Sequence, residues 1–240
     1  MRIGIIGAGS MGQVLARGLA KLGHRVSIAS SRGPERLTAL AGELGATPAS
    51  VVDAASAAEI VVLAIPTKAV ADLPSTLFEN APDNVVVIDI GNYHPDLRDG
   101  HIDAIDRGMP DSEWVARQIG RPVIKAFNNI FAASLREKGV PRGTKGRIAL
   151  PVAGDPVDAR TVVLRLVDDL GFDPVDAGDL DNSWRQQTGT PAYCKDLETA
   201  ELQRALAGAE RSRLGEYRIE EETRIKRLIG AETAGRSAHS

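Results

Sequence analysis

Apolar residues along this chain fall into two alternating rhythms. Short unbroken runs rich in Ile and Val occupy 2–6, 25–29, 60–65, 85–90, 122–127, 147–152 and 172–175, the signature of strands buried on both faces of a parallel sheet. Between them, apolar positions recur at helical spacing, as in Val14, Leu15, Leu19 and Leu22 after the first run, and predict helices one face of which covers the sheet. Further helices are expected over 35–44, 50–58, 111–119, 130–138 and 157–170, with a short extended segment at Ala46-Thr47. The first thirty residues thus read strand, turn, helix, strand, a βαβ unit that is parallel and right-handed. The rhythm persists to about residue 179 and predicts one α/β domain over 1–179 with a doubly wound, mainly parallel sheet. Residues 180–240 differ: a polar stretch with interspersed aromatics precedes a C-terminal helical segment. That segment starts at Asp196 as a candidate N-cap, carries Leu202, Ala205, Leu206 and Ala209 on one face and continues to about Ile229. From 231 to 240 periodicity is lost and disorder is expected.

The first turn carries the chemistry. Gly7, Gly9 and Gly12 stand in G-x-G-x-x-G spacing between an apolar strand and an amphipathic helix, the context in which glycines let the backbone approach a pyrophosphate and the helix N-terminus offers its free N–H groups. The domain therefore reads as a Rossmann-type dinucleotide site, with Gly7, Gly9, Ser10, Met11 and Gly12 at the phosphates. About 20 residues past such a fingerprint, an Asp or Glu selects NAD by holding the ribose 2′-hydroxyl. Here Ser30-Ser31-Arg32 follows the second strand, and Arg36 lies one turn on. Two hydroxyls and a guanidinium suit a 2′-phosphate, which predicts NADP over NAD; Ser31 can also cap the helix that begins near Pro34. Ligands in open α/β sheets lie beyond the carboxyl ends of the strands. Ile65, Pro66 and Thr67 should border the cofactor there, and the loop Gly91-Asn92-Tyr93-His94 makes Asn92, Tyr93 and His94 candidates for the nicotinamide side. A third loop at the same edge follows the strand that ends in Ala126-Phe127-Asn128.

Composition narrows the class. A formal net charge of −3 with no basic cluster argues against nucleic acid or an anionic membrane as partner. Cys194 is the single cysteine, so neither an internal disulfide framework nor a cysteine-based zinc cluster can form. With no signal-peptide pattern and no apolar run of membrane-spanning length, the cytoplasm is the expected location. No Ser/His/Asp triad, metal-ligand cluster or paired-carboxylate motif stands out, so neither a dedicated catalytic residue nor a metal is expected.

With these residues in hand, the chain resembles the NADPH-dependent coenzyme F420 oxidoreductases and the related reductase domain of the STEAP metalloreductases. The resemblance covers most of residues 1–185. It rests on Gly7-Ala8-Gly9-Ser10-Met11-Gly12, Ser31-Arg32, Val123-Ile124-Lys125-Ala126-Phe127-Asn128, Val152-Ala153-Gly154-Asp155 and Gly171-Phe172-Asp173-Pro174-Val175-Asp176-Ala177-Gly178. It implies a homodimer that binds NADP(H) and passes hydride to a flavin-like or deazaflavin acceptor, with F420, FMN or FAD as the co-substrates to consider. Carried over by position, Ser31 and Arg32 would hold the 2′-phosphate, and Ala126, Phe127 and Asn128 would line the nicotinamide pocket. Segment 183–194 and the tail from Asp196 depart from the archaeal deazaflavin reductases. His94, Trp184, Arg185 and Tyr193 are the candidates for the acceptor pocket, with Arg185 as a fork for an anionic group. Lys125-x-x-Asn128 also suggests a rival, since β-hydroxyacid dehydrogenases use a Lys and an Asn one helical turn apart, but here Lys125 falls on a strand. Three readings therefore stand: an NADP-dependent oxidoreductase with a ring acceptor, a small-molecule dehydrogenase or imine reductase, and a non-catalytic NADP(H) sensor.

Overall fold

A computed structural model describes the backbone of residues 1–237 and side chains as far as Gly230. Five strands, β1 (Arg2–Ile6), β2 (Arg25–Ala29), β3 (Thr47–Pro48), β4 (Ile60–Leu63) and β5 (Val86–Asp89), pair in parallel in the spatial order β3-β2-β1-β4-β5. The sheet continues through β6 (Ile124–Lys125), parallel to β5, and then β7 (Ala149–Gly154), which runs antiparallel to β6. The last strand, β8 (Asp173–Asp176), is parallel to β7. The chain thus has the doubly wound α/β sheet of a Rossmann domain, with a turn of direction near its far edge. The order reverses between β1 and β4, which opens the crevice where ligands bind in this architecture.

Helices cover both faces. On one side α1 (Ser10–Lys21), α2 (Thr38–Leu44), α6 (Ala132–Glu137) and α7 (Val157–Asp169) cover a core that contains Ile3, Ile5, Leu15, Leu19, Ile28 and Phe172. On the other, α3 (Val51–Ala55) and α5 (Asp111–Ile119) cover Ile6, Val61, Leu63 and Val87. Burying each such side chain contributes about 1.5–3 kcal/mol, enough for the strands to need no polar face. A one-turn helix, α4 (Asp103–Asp106), lies in the β5–α5 connection, and α8 (Thr199–Ala207) packs on β7 and β8. The chain closes with α9 (Leu214–Ser237).

Boundaries shift where local chemistry outweighs periodicity. The helix expected over 35–44 divides into a 3-10 turn, Pro34–Leu37, and α2. The one expected over 50–58 shrinks to α3, capped by Ser50, whose hydroxyl accepts the Asp53 N–H at 3.1 Å. Asp196 does not cap the C-terminal segment. Its carboxylate accepts bonds from Ser134 Oγ at 2.9 Å and Lys138 Nζ at 2.6 Å, and Glu198 caps α8 in a capping box with Glu201. Gly208 then ends α8, so the mixed-charge stretch forms a separate helix. The disorder expected from 231 is replaced by helical backbone as far as Ser237; residues 238–240 lie outside the described residues. Among the described residues, no helix is long and apolar enough to cross a membrane.

Candidate functional site

The glycine turn is built around three different constraints. Gly7 has φ +121°, a conformation that suits glycine, and a Cβ there would lie 2.1 Å from the Ala64 carbonyl oxygen. At Gly12 a Cβ would lie 2.0 Å from the Gly7 carbonyl oxygen, so helix α1 can approach β1 only without a side chain. Gly9 is different: a Cβ there would meet no protein atom within 4 Å. It is the N-cap of α1 and supplies no capping side chain, so the first-turn N–H groups take no bond from it, and the space beside Gly9 is open. Gln13 closes the turn by donating from Nε2 to the Ala8 carbonyl at 2.8 Å.

That open space is a cavity of about 1090 Å³. Gly7, Ala8, Gly9 and Gln13 line one wall, Ser30, Ser31, Arg32 and Arg36 a second, and Ala64, Ile65 and Pro66 a third. Leu37, Leu40, Val51 and Leu73 add apolar side chains to the lining. Among the described residues neither Arg32 nor Arg36 is in an ion pair, which leaves two guanidiniums free for a phosphate. A dinucleotide fits these residues: bare N–H groups at a helix N-terminus, a cradle that a Cβ at Gly9 would fill, and unpaired cations beside the ribose position. Of the fingerprint residues, Ser10 begins α1 on its exposed side, Met11 packs against the core and Gly12 lies beneath Gly7. None of these three lines the cavity. Sequence reading did not single out Gln13, Asp72 and Leu73, which do; Gln13 sits one turn into an already recognised helix and could have been found by that spacing.

The carboxyl ends of β4, β5 and β6 carry the remaining cofactor candidates, and Thr67, Asn92, Ala126, Phe127 and Asn128 do not line that cavity. Thr67 is 1 % exposed there, with no partner for its hydroxyl. Asn92 and Asn128 exchange amide bonds: Asn92 Nδ2 donates to the Asn128 carbonyl at 2.9 Å, and Asn128 Nδ2 donates to Asn92 Oδ1 at 3.1 Å. Between the ends of this brace, Phe127 takes a left-handed backbone with φ +58°, a conformation costing on the order of 1–3 kcal/mol that tends to mark functional sites. Gln186 covers the brace from above, accepting from Asn128 at its carbonyl (2.7 Å) and donating to Asn128 Oδ1 (3.0 Å). Thr188 donates to the Tyr93 carbonyl at 3.2 Å. Segment 183–190 therefore covers this sheet edge, with its own Gln186, Gln187 and Thr188 buried.

The four candidate acceptor residues are not gathered around one opening. Trp184 is buried with Ala209, Leu214 and Tyr217, under the C-terminal helices. Arg185 lies over its ring at 4.5 Å, with Nε donating to Asn182 Oδ1 and Nη1 to the Leu206 carbonyl, both at 3.3 Å. Two of its three guanidinium nitrogens are thus engaged within the fold. Tyr193 is 9 % exposed and lines a separate cavity of about 330 Å³ with Phe131, Lys195, Tyr217 and Arg224. His94 lies beneath α9, its Nδ1 3.8 Å from Glu222 Oε1. The same helix holds the β5 loop at two further points: Arg218 stacks on Tyr93 at 4.7 Å and pairs with Asp106 at 3.5 Å. None of these α9 contacts was legible in the chain's own periodicity, because they join residues more than a hundred positions apart.

Burial sets the protonation of this corner. It pushes the Tyr93 phenol up to about 12, and the hydroxyl donates to Asp106 Oδ1 at 3.1 Å. It lowers His94 to about 4, with Arg98 nearby adding to the effect, while Glu222 is raised by its own burial. For a histidine whose folded pKa lies below the unfolded value near 6.5, the unfolded chain takes up a proton that the folded chain refuses. Stability is therefore unaffected by His94 above pH 6.5 and falls as pH drops from 6.5 toward 4. The loss reaches on the order of 3 kcal/mol. Chemical denaturation of the wild type and His94→Gln across pH 4–7 checks this: the variant should show a shallower acid slope, and superimposable slopes would remove His94 from the effect.

Comparison with known proteins agrees with this geometry. Residues 2–93 match the family described as NADP oxidoreductase, coenzyme F420-dependent. The protein YjhV of Escherichia coli (strain K12) is 49 % identical over 85 residues, 35 % of this chain and 55 % of YjhV, so the chain spans about half the length of that relative. A hypothetical protein of Sinorhizobium meliloti, SMa0349, has a solved structure that is 31 % identical with a TM-score of 0.69, covering 82 % of this chain and 95 % of its own. A protein of Arthrobacter sp. FB24, provisionally named an F420-dependent NADP-reductase, is 25 % identical with a TM-score of 0.58, covering 75 % and 86 %. On the matched glycine turn, the sheet order and these relatives, the chain belongs to the coenzyme F420-dependent NADP oxidoreductase family.

Proposed function

We propose that this protein is an enzyme that binds NADP(H) in the large cavity and exchanges hydride between it and a ring acceptor of the flavin or deazaflavin type. The observation that carries the reading is the pairing of the open cradle at Gly9 with the unpaired Arg32 and Arg36 in one cavity. The bare N–H groups at the start of α1 would take the pyrophosphate. Ser30, Ser31 and the two arginines would take the 2′-phosphate. Ile65, Pro66 and Thr67 would pass the chain of the dinucleotide across the sheet's carboxyl edge, leaving the nicotinamide against Asn92, Ala126, Phe127 and Asn128.

Bound there, NADPH would supply the hydride, giving NADP⁺, and the acceptor would take up that hydride together with one proton from water. Little is then asked of the side chains. The brace between Asn92 and Asn128 orients the ring, and the roof formed by Gln186, Gln187 and Thr188 keeps water from the transfer. No residue needs to act as an acid or base at neutral pH, in keeping with Tyr93 held protonated and His94 held neutral by burial.

Mixing the protein with NADPH and separate acceptors, namely F420, FMN, FAD, small keto acids and cyclic imines, tests the reading by loss of absorbance at 340 nm. Turnover with a flavin-type ring is the expected result. Turnover only with keto acids or imines would replace it by the small-molecule dehydrogenase reading, and tight NADPH binding without any turnover by the sensor reading.

A further inference from the structure

Beneath the Asn92–Asn128 brace lies an ion pair closed off from solvent. Lys125 is 0 % exposed and Asp89 2 % exposed, and the two are register partners at the ends of β6 and β5. Lys125 Nζ donates to Asp89 Oδ2 at 3.0 Å and to the Gly91 carbonyl at 2.5 Å. Asp89 answers from the other side: its Oδ1 accepts the Gly91 N–H at 2.8 Å, and its Oδ2 also accepts Ser112 Oγ at 2.6 Å. Both polar groups of Gly91 are thus held by this one pair. A Cβ at Gly91 would lie 2.9 Å from Asp89 Oδ1, so the turn is wrapped directly on the carboxylate.

The next residue is Asn92, and three residues beyond Lys125 is Asn128. The β5 and β6 loops therefore both start at the ion pair and meet again at the amide brace, which makes a closed ring of five residues: Asp89, Gly91, Asn92, Asn128 and Lys125. A buried ion pair is weak as a source of stability, because desolvation offsets its attraction and apolar residues of the same volume serve as well. What an apolar residue cannot do is hold the Gly91 carbonyl at a fixed point. The Lys125 ammonium is enclosed by these partners and turned away from solvent, unlike the substrate-facing lysine that a β-hydroxyacid dehydrogenase requires.

We infer that Lys125 is a positioning residue for the nicotinamide end of the cofactor, setting the spacing of Asn92 against Asn128 through Gly91 and Asp89. This rests on the reading of the cavity as an NADP(H) site. The experiment uses two probes that divide that site: 2′,5′-ADP, which occupies only the adenosine half, and whole NADPH. Asp89→Asn with Lys125→Met removes both charges together and keeps the side-chain volumes close, so that neither member of the pair is left as a lone buried charge. The double variant should melt close to the wild type and bind 2′,5′-ADP as the wild type does. NADPH should bind about tenfold more weakly, the scale of one lost hydrogen bond to a charged group. Asn92→Ala should give the same split, and adding it to the double variant should weaken NADPH little further, because both changes undo one ring.

A folded double variant that binds both probes as the wild type does would overturn the inference and leave Lys125 a packing residue. Equal weakening of both probes would overturn it too. If the double variant does not fold, Lys125→Arg keeps the charge while displacing the donor from Gly91. It must then show the same split, and wild-type binding of NADPH by that variant would overturn the inference. Failure of the wild type to bind either probe would instead overturn the NADP(H) reading itself.

Discussion

Gly9→Ala is expected to leave the protein folded while reducing NADPH affinity by about tenfold to a hundredfold, the range that 1–3 kcal/mol of steric overlap implies. The reason lies in where the new methyl points. At Gly9 it meets no protein atom within 4 Å, and the backbone, at φ −75° and ψ −178°, is one that alanine adopts freely. The cost to the fold is then that of a poorer helix cap, about 0.5–1 kcal/mol. The same substitution at Gly12 should do the opposite. There the methyl would lie 2.0 Å from the Gly7 carbonyl oxygen, so α1 must move off β1, with a loss of about 3 kcal/mol or more. Thermal melting of both variants, with and without NADPH, checks the pair. Gly9→Ala should melt near the wild type and lose most of the cofactor's stabilising shift, whereas Gly12→Ala should melt well below it. A Gly9→Ala protein with undiminished NADPH affinity would place the pyrophosphate elsewhere.

Arg32→Ala is expected to weaken NADPH by about tenfold to a hundredfold, since a hydrogen bond to a charged group contributes about 1.5–3 kcal/mol. NADH, which lacks the 2′-phosphate, should bind the variant and the wild type alike. Arg32 is exposed, lines the cavity and is in no ion pair among the described residues, so its removal breaks nothing in the fold. Arg36 lines the same wall one turn further on, and the double variant should lose most of the remaining preference for NADPH. Raising the salt concentration should weaken NADPH binding to the wild type more than to either variant, because an exposed cation is screened. Calorimetric titration of both nucleotides reads all of this, and equal losses for NADPH and NADH would remove Arg32 from the 2′-phosphate.

The half of the site nearest the N-terminus was legible in the sequence because it is local. The cradle at Gly7 and Gly9, the serines and arginines after β2 and the end of β4 are each fixed by a motif within a few residues, and the cavity brings most of them together. The acceptor end was not. Trp184 and Arg185 are attractive as a lid on composition alone, but a planar cation beside an indole also satisfies itself, and here the two stack on each other beneath α8 and α9. Lys125 read as strand residue or catalytic lysine according to the family chosen; the feature that decides is Asp89, 36 residues earlier, which only the β5–β6 register brings alongside. The hold of α9 on His94, Tyr93 and Asp106 likewise joins residues over a hundred positions apart, and mixed charge along a helix does not reveal what its buried face meets. Asp196 was misread for the same reason: a carboxylate before a helical stretch resembles a cap until its partners, Ser134 and Lys138, are known.

The central claim is that hydride passes directly between NADPH and a ring acceptor in this protein. Its most direct test is anaerobic incubation with NADPH deuterated in turn on each face of nicotinamide C4, followed by mass spectrometry of the reduced acceptor, with F420 and FMN as the acceptors. Transfer of deuterium from one face only into reduced F420, where the carbon-bound label is retained, with matching consumption of NADPH when FMN is the acceptor, is the predicted result. F420 that is reduced without label from either face, or NADPH that binds and is never oxidised by either ring, would contradict it.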